Sequence, residues 1–268
     1  MKIAEALRQA RAAGVARLDA QRLLEHHAGR PREWLIAHDD ETLDAATVIA
    51  FTADLQRRGA GVPLAYLVSE REFHGLALRV TPAVLVPRPE TELLVDWALT
   101  LLPPRAEVVD LGTGSGAIAL AVAHARPDAC VTATDASPQA LAVAQANAER
   151  LALAVEGIAG SWWQPLAGRR FDVALSNPPY IAGDDPHLAA LQHEPRAALT
   201  PEGDGLAALR AIIAGAPPHL KAGAWLLLEH GFDQAPAVQR MLADASFQAV
   251  QTREDLAGLP RVTGGRRR

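Results

Sequence analysis

The chain is short of cysteine, of lysine and of long apolar runs, and each shortage excludes something. Cys130 is the only cysteine in 268 residues, so no disulfide can form within the chain. A lone thiol suits a reducing compartment, and a cytoplasmic location is expected on that ground. No stretch approaches the roughly 18 uninterrupted apolar residues of a membrane-spanning helix. The opening MKIAEALRQARAAG is interrupted by polar residues and lacks the apolar core of a signal peptide. No membrane partner is expected. Of the 26 basic residues only Lys2 and Lys221 are lysines, and the net charge is −5. A dedicated nucleic-acid binder carries a basic balance or stripe. The one dense basic run here, Arg266-Arg267-Arg268, reads as a frayed, solvated tail, so no direct nucleic-acid substrate is expected. Adjacent His26 and His27 point about 100° apart on a helix and do not share an ion easily. No metal site is expected.

What is present divides the chain in three. Residues 1–68 show helical spacing of apolar positions: Ile3, Leu7, Ala10; Leu18, Leu23, Leu24; Leu43, Val48, Phe51, Leu55. Gly14 stops the first helix and Pro31 opens a short one. Residues 69–90 contain EREFHGLALRV, which predicts a β-hairpin, and then the stiff segment Thr81 to Pro89 with three prolines. Thr91 is expected to cap the helix carrying Leu93, Leu94, Trp97 and Leu101. Residues 91–268 alternate strand and helix. The predicted strands are 108–111, 131–135, 154–158, 171–176, 224–229, 247–252 and a short last one over 261–263. The predicted helices are 115–126, 137–151, 203–216 and 234–244. This alternation predicts an α/β fold, a mostly parallel, Rossmann-like sheet of seven strands with helices on both faces.

Two motifs carry chemistry. Asp110-Leu111-Gly112-Thr113-Gly114-Ser115-Gly116 is a strand end, a tight glycine turn and a helix start. Its spacing is G-x-G-x-G, not the G-x-G-x-x-G that seats a pyrophosphate on a helix N-terminus. Asp135 ends the next strand, 19 residues after Gly116, where a carboxylate accepts from both ribose hydroxyls. Together they point to an adenosine-bearing cofactor without a phosphate to hold, for which S-adenosylmethionine is suited. Trp162, after the third strand, is expected beside the adenine ring, and Trp163 is expected to be structural.

The second motif is Asn177-Pro178-Pro179-Tyr180, after the fourth strand, which is expected to neighbour the first. An amide or aromatic amine nitrogen is a poor nucleophile because its lone pair is delocalised. Two fixed acceptors aimed at its N–H bonds strengthen as positive charge develops on the nitrogen. The Asn177 side-chain oxygen and the Pro178 carbonyl supply them. The prolines stiffen the loop, and Tyr180 offers a face for a planar group.

With these motifs in place, the sequence resembles the bacterial peptide chain release factor glutamine methyltransferases. Leu85-Val86-Pro87-Arg88-Pro89-Glu90-Thr91-Glu92-Leu93, Glu194-Pro195-Arg196, Gly203-Asp204-Gly205-Leu206 and Leu228-Glu229-His230-Gly231 carry the rest of the likeness. The resemblance implies a class I S-adenosylmethionine-dependent methyltransferase with cofactor contacts at Gly112 to Gly116, Asp135, Trp162 and Asn177. It implies acceptor contacts across Asn177, Pro178, Pro179 and Tyr180. It also implies a release-factor partner, methylated on the glutamine of its Gly-Gly-Gln motif, and a substrate-receiving role for residues 1–68. Ser161 and His74 depart from the family pattern, in which an acidic residue and an aromatic are common. A glutamine methyltransferase acting on a ribosomal protein would use the same pocket. An adenine methyltransferase would need a basic duplex-binding face, a nicotinamide oxidoreductase the longer glycine spacing, and a non-catalytic module would not need Asn177.

Overall fold

The computed structural model describes residues 1–268 and divides into two compact units, Met1–Glu70 and Arg71–Arg268. In the first unit, helices Ile3–Ala12, Arg17–Ala28, Arg32–Ala37, Ala45–Gly59 and Leu64–Leu67 enclose a core of Ile3, Leu23, Leu24, Leu35, Phe51 and Leu55. Asp44 caps the longest of them by accepting from the Thr47 N–H. Leu18, expected in the apolar stripe, is 55% exposed instead. Periodicity alone does not say where a stripe ends. His27 is bonded to Asp54 at 3.0 Å, and no group of side chains suited to a metal ion is found. No helix is long and apolar enough to cross a membrane.

The hairpin consists of β1 (Glu70–Phe73) and β2 (Leu76–Arg79). His74 and Gly75 both have positive φ, as a two-residue hairpin turn requires. The main sheet comprises β3 (Glu107–Leu111), β4 (Cys130–Asp135), β5 (Val155–Ala159), β6 (Phe171–Ser176), β7 (Leu220–Glu229), β8 (Gln248–Glu254) and β9 (Pro260–Arg266). Their order is β5-β4-β3-β6-β7-β9-β8. All neighbours are parallel except β9, which runs antiparallel to β7 and β8. The central strands are buried on both faces. Val108 of β3 packs into one core layer with Trp97, Ile118 and Leu120, while Val109 packs into the other with Leu209 and Ile212. β5 carries Glu156 because it is the sheet's edge, where the carboxylate pairs with Arg169 at 2.8 Å.

β9 is longer than expected and corrects the reading of the arginine tail. Arg266 pairs across β9 with Trp225 and Gln248, and Arg267 exchanges backbone bonds with Gly223 and Ala224. Gly264 and Gly265 hid the strand's extension beyond residue 263. A Cβ on Gly264 would come within 2.8 Å of the Trp97 ring, so close packing demands a residue that strand propensity disfavours. The chain winds from β3 outward to β5, then returns to β6 on the other side of β3. That reversal places a crevice at the carboxyl ends of β3 and β6, where sheets of this kind bind ligands.

Candidate active site

The glycine turn leaves β3 with positive φ at Gly112, Gly114 and Gly116. The N–H groups of Gly112 and Thr113 both donate to the Thr134 carbonyl at 2.9 Å, fixing the turn to β4. A Cβ on Gly112 would stand 3.1 Å from the Trp162 ring, and one on Gly114 would meet nothing within 4 Å. The turn therefore presents bare backbone beside an indole, along one wall of a cavity of about 270 Å³. Gly112 to Ser115, Asp135, Trp162, Asn177 and Pro179 all line it. Trp162 holds a positive φ of 49°, uncommon for a bulky residue and a mark of a position dictated by its surroundings. Gly116 does not line this cavity. It starts helix Ala117–Ala125, and a Cβ there would stand 2.9 Å from Leu120 and 3.2 Å from Ala144, so its part is close packing. Trp163 is buried and donates to the Ile212 carbonyl.

Asp135 accepts from the Gly114 N–H at 2.9 Å through one oxygen and from the Ser137 N–H at 2.8 Å through the other. Each oxygen keeps a lone pair for a ligand hydroxyl. Beneath the turn lies Asp110, fully buried. One of its oxygens accepts from the Thr113 hydroxyl at 2.6 Å, and the other has no partner. Burial, aided by the charge of Asp135, lifts its pKa to about 7. These residues suit S-adenosylmethionine. A carboxylate stands ready for a diol, an aromatic wall for a purine, and a bare-backbone cradle beside negative charge for a cationic donor. A phosphate would be repelled.

Ser176 donates to the Leu111 carbonyl at 2.6 Å, locking the tips of β6 and β3 together. The acceptor tetrapeptide follows directly. Asn177 donates from Nδ2 to the Thr91 hydroxyl at 3.1 Å, while its Oδ1 and the Pro178 carbonyl make no hydrogen bond within the protein. Asn177, Pro178 and Tyr180 line a second cavity of about 230 Å³ with Leu85, Arg88 and Leu191. Asn177 and Arg88 border both cavities. Tyr180 donates to Glu229 Oε1 at 3.2 Å and accepts at its carbonyl from Gln234 at 2.9 Å. Burial and the Glu229 charge hold its phenol well above the usual range.

Three residues here escaped the sequence reading. Thr91 does not cap helix Glu92–Leu99, because residues Pro89–Thr91 already form a helical turn and its hydroxyl faces Asn177. Glu194 accepts from Arg88 at 2.5 Å and from the Val86 N–H at 3.0 Å, clamping the proline-rich segment over the site. Glu229, buried at the end of β7, has a pKa raised to about 7 by desolvation. Only their place in strings shared with a family marked the last two.

Comparison with known proteins agrees with this geometry. The family model for the methyltransferase small domain matches residues 89–206, and the PrmC N-terminal domain matches residues 2–68. A release factor glutamine methyltransferase of Bordetella pertussis is 51% identical over 257 residues, covering 94% of this chain and 95% of that protein. Among solved structures, a methyltransferase from Pyrococcus furiosus superposes with a TM-score of 0.56 at 19% identity, covering 72% of this chain and 89% of that one. A Thermus thermophilus 16S rRNA N2 methyltransferase in complex with AdoMet and guanosine gives 0.55 at 20% identity, covering 74% and 50%. At such identities these structures speak for the fold.

Proposed function

The chain belongs to the release factor glutamine methyltransferases, and from that premise we propose how its residues divide the work. The activity is methyl transfer from S-adenosylmethionine to the side-chain amide nitrogen of a release-factor glutamine. When bound, S-adenosylmethionine supplies an activated methyl group. Asp135 holds its ribose, Trp162 flanks its adenine, and the turn from Gly112 to Ser115 admits it closely. Asn177 borders both cavities and belongs to donor and acceptor sites alike.

One observation carries the acceptor assignment. At the tip of β6, Asn177 Oδ1 and the Pro178 carbonyl are acceptors that nothing in the protein uses. A primary amide has two N–H bonds to satisfy. Held by these two oxygens and packed on Tyr180, it presents its nitrogen along the boundary of the two cavities. Positioning of this kind is worth roughly 7–11 kcal/mol, against about 2.7–4 kcal/mol for one preorganised contact. Orientation therefore dominates, and no acid–base pair is required.

The finer assignments are that the target is the Gly-Gly-Gln glutamine of class 1 release factors, and that the acceptor is a protein rather than a nucleobase. Net charge of −5 supports the second. Residues 1–68 form the unit that receives the release factor, 69–90 the hairpin and linker, and 91–268 the catalytic domain. Incubation with a purified release factor and S-adenosylmethionine, followed by peptide mass spectrometry, tests this reading. One added methyl on that glutamine is expected. Donor binding without methylation there would redirect the search to ribosomal-protein glutamines.

A further inference from the structure

Arg88, which borders both cavities, meets Glu194 from 106 positions away. The Glu194 side chain is 2% exposed, and both of its oxygens are used. Oε2 accepts from the Val86 N–H at 3.0 Å and Oε1 from Arg88 Nη2 at 2.5 Å. A buried carboxylate satisfied in this way fixes the guanidinium it holds. The Arg88 side chain itself stays 34% exposed. A guanidinium carries five N–H donors, and Glu194 takes one of them. The others make no hydrogen bond within the protein. Arg88 is also the one charged side chain lining the acceptor cavity, whose other walls are Leu85, Asn177, Pro178, Tyr180 and aliphatic side chains. That cavity therefore combines two unused acceptors, on Asn177 and Pro178, with a fork of unused donors.

We propose that Arg88 is a substrate-binding residue: it donates to a main-chain carbonyl of the segment that carries the target glutamine, and Glu194 holds it in position. The inference rests on the reading that Asn177 and Pro178 take the N–H bonds of that amide. Those two oxygens recognise only the tip of the side chain. An entering peptide also brings carbonyl oxygens, which give up water on the way and need donors. The glutamine's own side-chain oxygen is the wrong target. A cation there draws the nitrogen lone pair further into the C–N bond and slows its attack on the methyl group. A main-chain carbonyl carries no such penalty. The ion pair also settles the charge. An unpaired guanidinium at the border of the donor cavity would repel a sulfonium, whereas the pair with Glu194 is neutral and still offers donors. A contact made before methyl transfer and kept through it lowers KM and leaves kcat unchanged.

Arg88→Met combined with Glu194→Gln tests this. Methionine keeps the apolar stem. The new glutamine oxygen still accepts from Val86, so the segment keeps that tie and no carboxylate is left unpaired. The expected result is a KM for the release factor raised by about tenfold to a hundredfold, the scale of one hydrogen bond to a charged group. At saturating release factor, kcat should stay within about threefold of wild type, as for any contact made equally in ground and transition states. Calorimetric affinity for S-adenosylmethionine should stay close to wild type. An unchanged KM would overturn the proposal. So would a KM increase matched by an equal loss of donor affinity, which would make the pair a tie for the segment and no more. If the double variant does not fold, Arg88→Lys decides. A lysine that keeps the ion pair places its only nitrogen on Glu194 and has no second arm for the peptide, so its KM should also rise. A wild-type protein that binds the donor yet methylates no glutamine removes the underlying reading and this inference with it; active wild type with unaffected variants removes the inference only.

Discussion

Asp110→Asn should make the protein more stable and weaken its hold on the methyl donor. The Asp110 carboxylate is fully buried, with one oxygen on the Thr113 hydroxyl and the other on nothing. Burial first, then the Asp135 charge, raises its pKa from 3.8 to about 7. The unfolded chain releases this proton near pH 4, while the folded chain keeps it to near pH 7. Between those limits the folded state binds the extra proton, so stability falls as pH rises through them and levels off above. At ~1.36 kcal/mol per pH unit, the penalty is about 2 kcal/mol at pH 5.5 and about 4 kcal/mol at pH 8.5. Asparagine keeps the shape and an acceptor for Thr113 but carries no charge. Its advantage over wild type should therefore grow by roughly 2 kcal/mol between the two pH values. Denaturant unfolding of both proteins at each pH measures this, and every other titrating group, Glu229 included, cancels in the difference. A gap that does not change with pH would refute the buried, late-ionising Asp110. The accompanying loss of donor affinity, read by calorimetry at pH 8.5, would show why the cost is retained: ionised Asp110 places negative potential under a turn that receives a cation.

Asn177→Ala should lower kcat by roughly 100- to 1,000-fold, the scale of one preorganised contact, and a variant within about threefold of wild type in a methylation assay would contradict its role. Asp135→Ala should act mainly on donor affinity, since it removes both the ribose acceptor and the tie to the Gly114 N–H; unchanged affinity by calorimetry would contradict that. Deleting residues 1–68 should spare donor binding and impair methylation of an intact release factor, and normal methylation by the folded truncation would exclude a receiving role for that unit.

Legibility in the sequence followed how far apart the cooperating residues lie. β3, β4 and β6 are short segments rich in apolar and β-branched residues, mostly buried on both faces, so their presence and their parallel arrangement were readable from pattern alone. The glycine turn and the acceptor tetrapeptide were readable for a related reason, because each keeps its chemistry within a few consecutive residues. Thr91, Asp110 and Glu229 broke that locality. Thr91 met the rule for a helix cap, yet its hydroxyl serves a residue 86 positions away. Asp110 sits between Val109 and Leu111 in a strand that also carries the half-buried Glu107, and nothing near it in sequence tells a buried carboxylate from an exposed one.

Glu229 is the sharpest case. A carboxylate after Trp225-Leu226-Leu227-Leu228 reads as a strand emerging into water. It is instead buried, because β7 ends where the Pro89–Thr91 turn and the tetrapeptide both arrive, and the Tyr180 hydroxyl that reaches it comes from 49 positions away. Periodicity reports contacts within one element. Sites in this fold form where the ends of several strands meet, so the sequence names the loops that converge there while the order of hydrogen bonds among them belongs to the tertiary structure. That order also decides the chemistry: the same Asn177 with its amide reversed would aim donors, not acceptors, at the N–H bonds of an incoming glutamine.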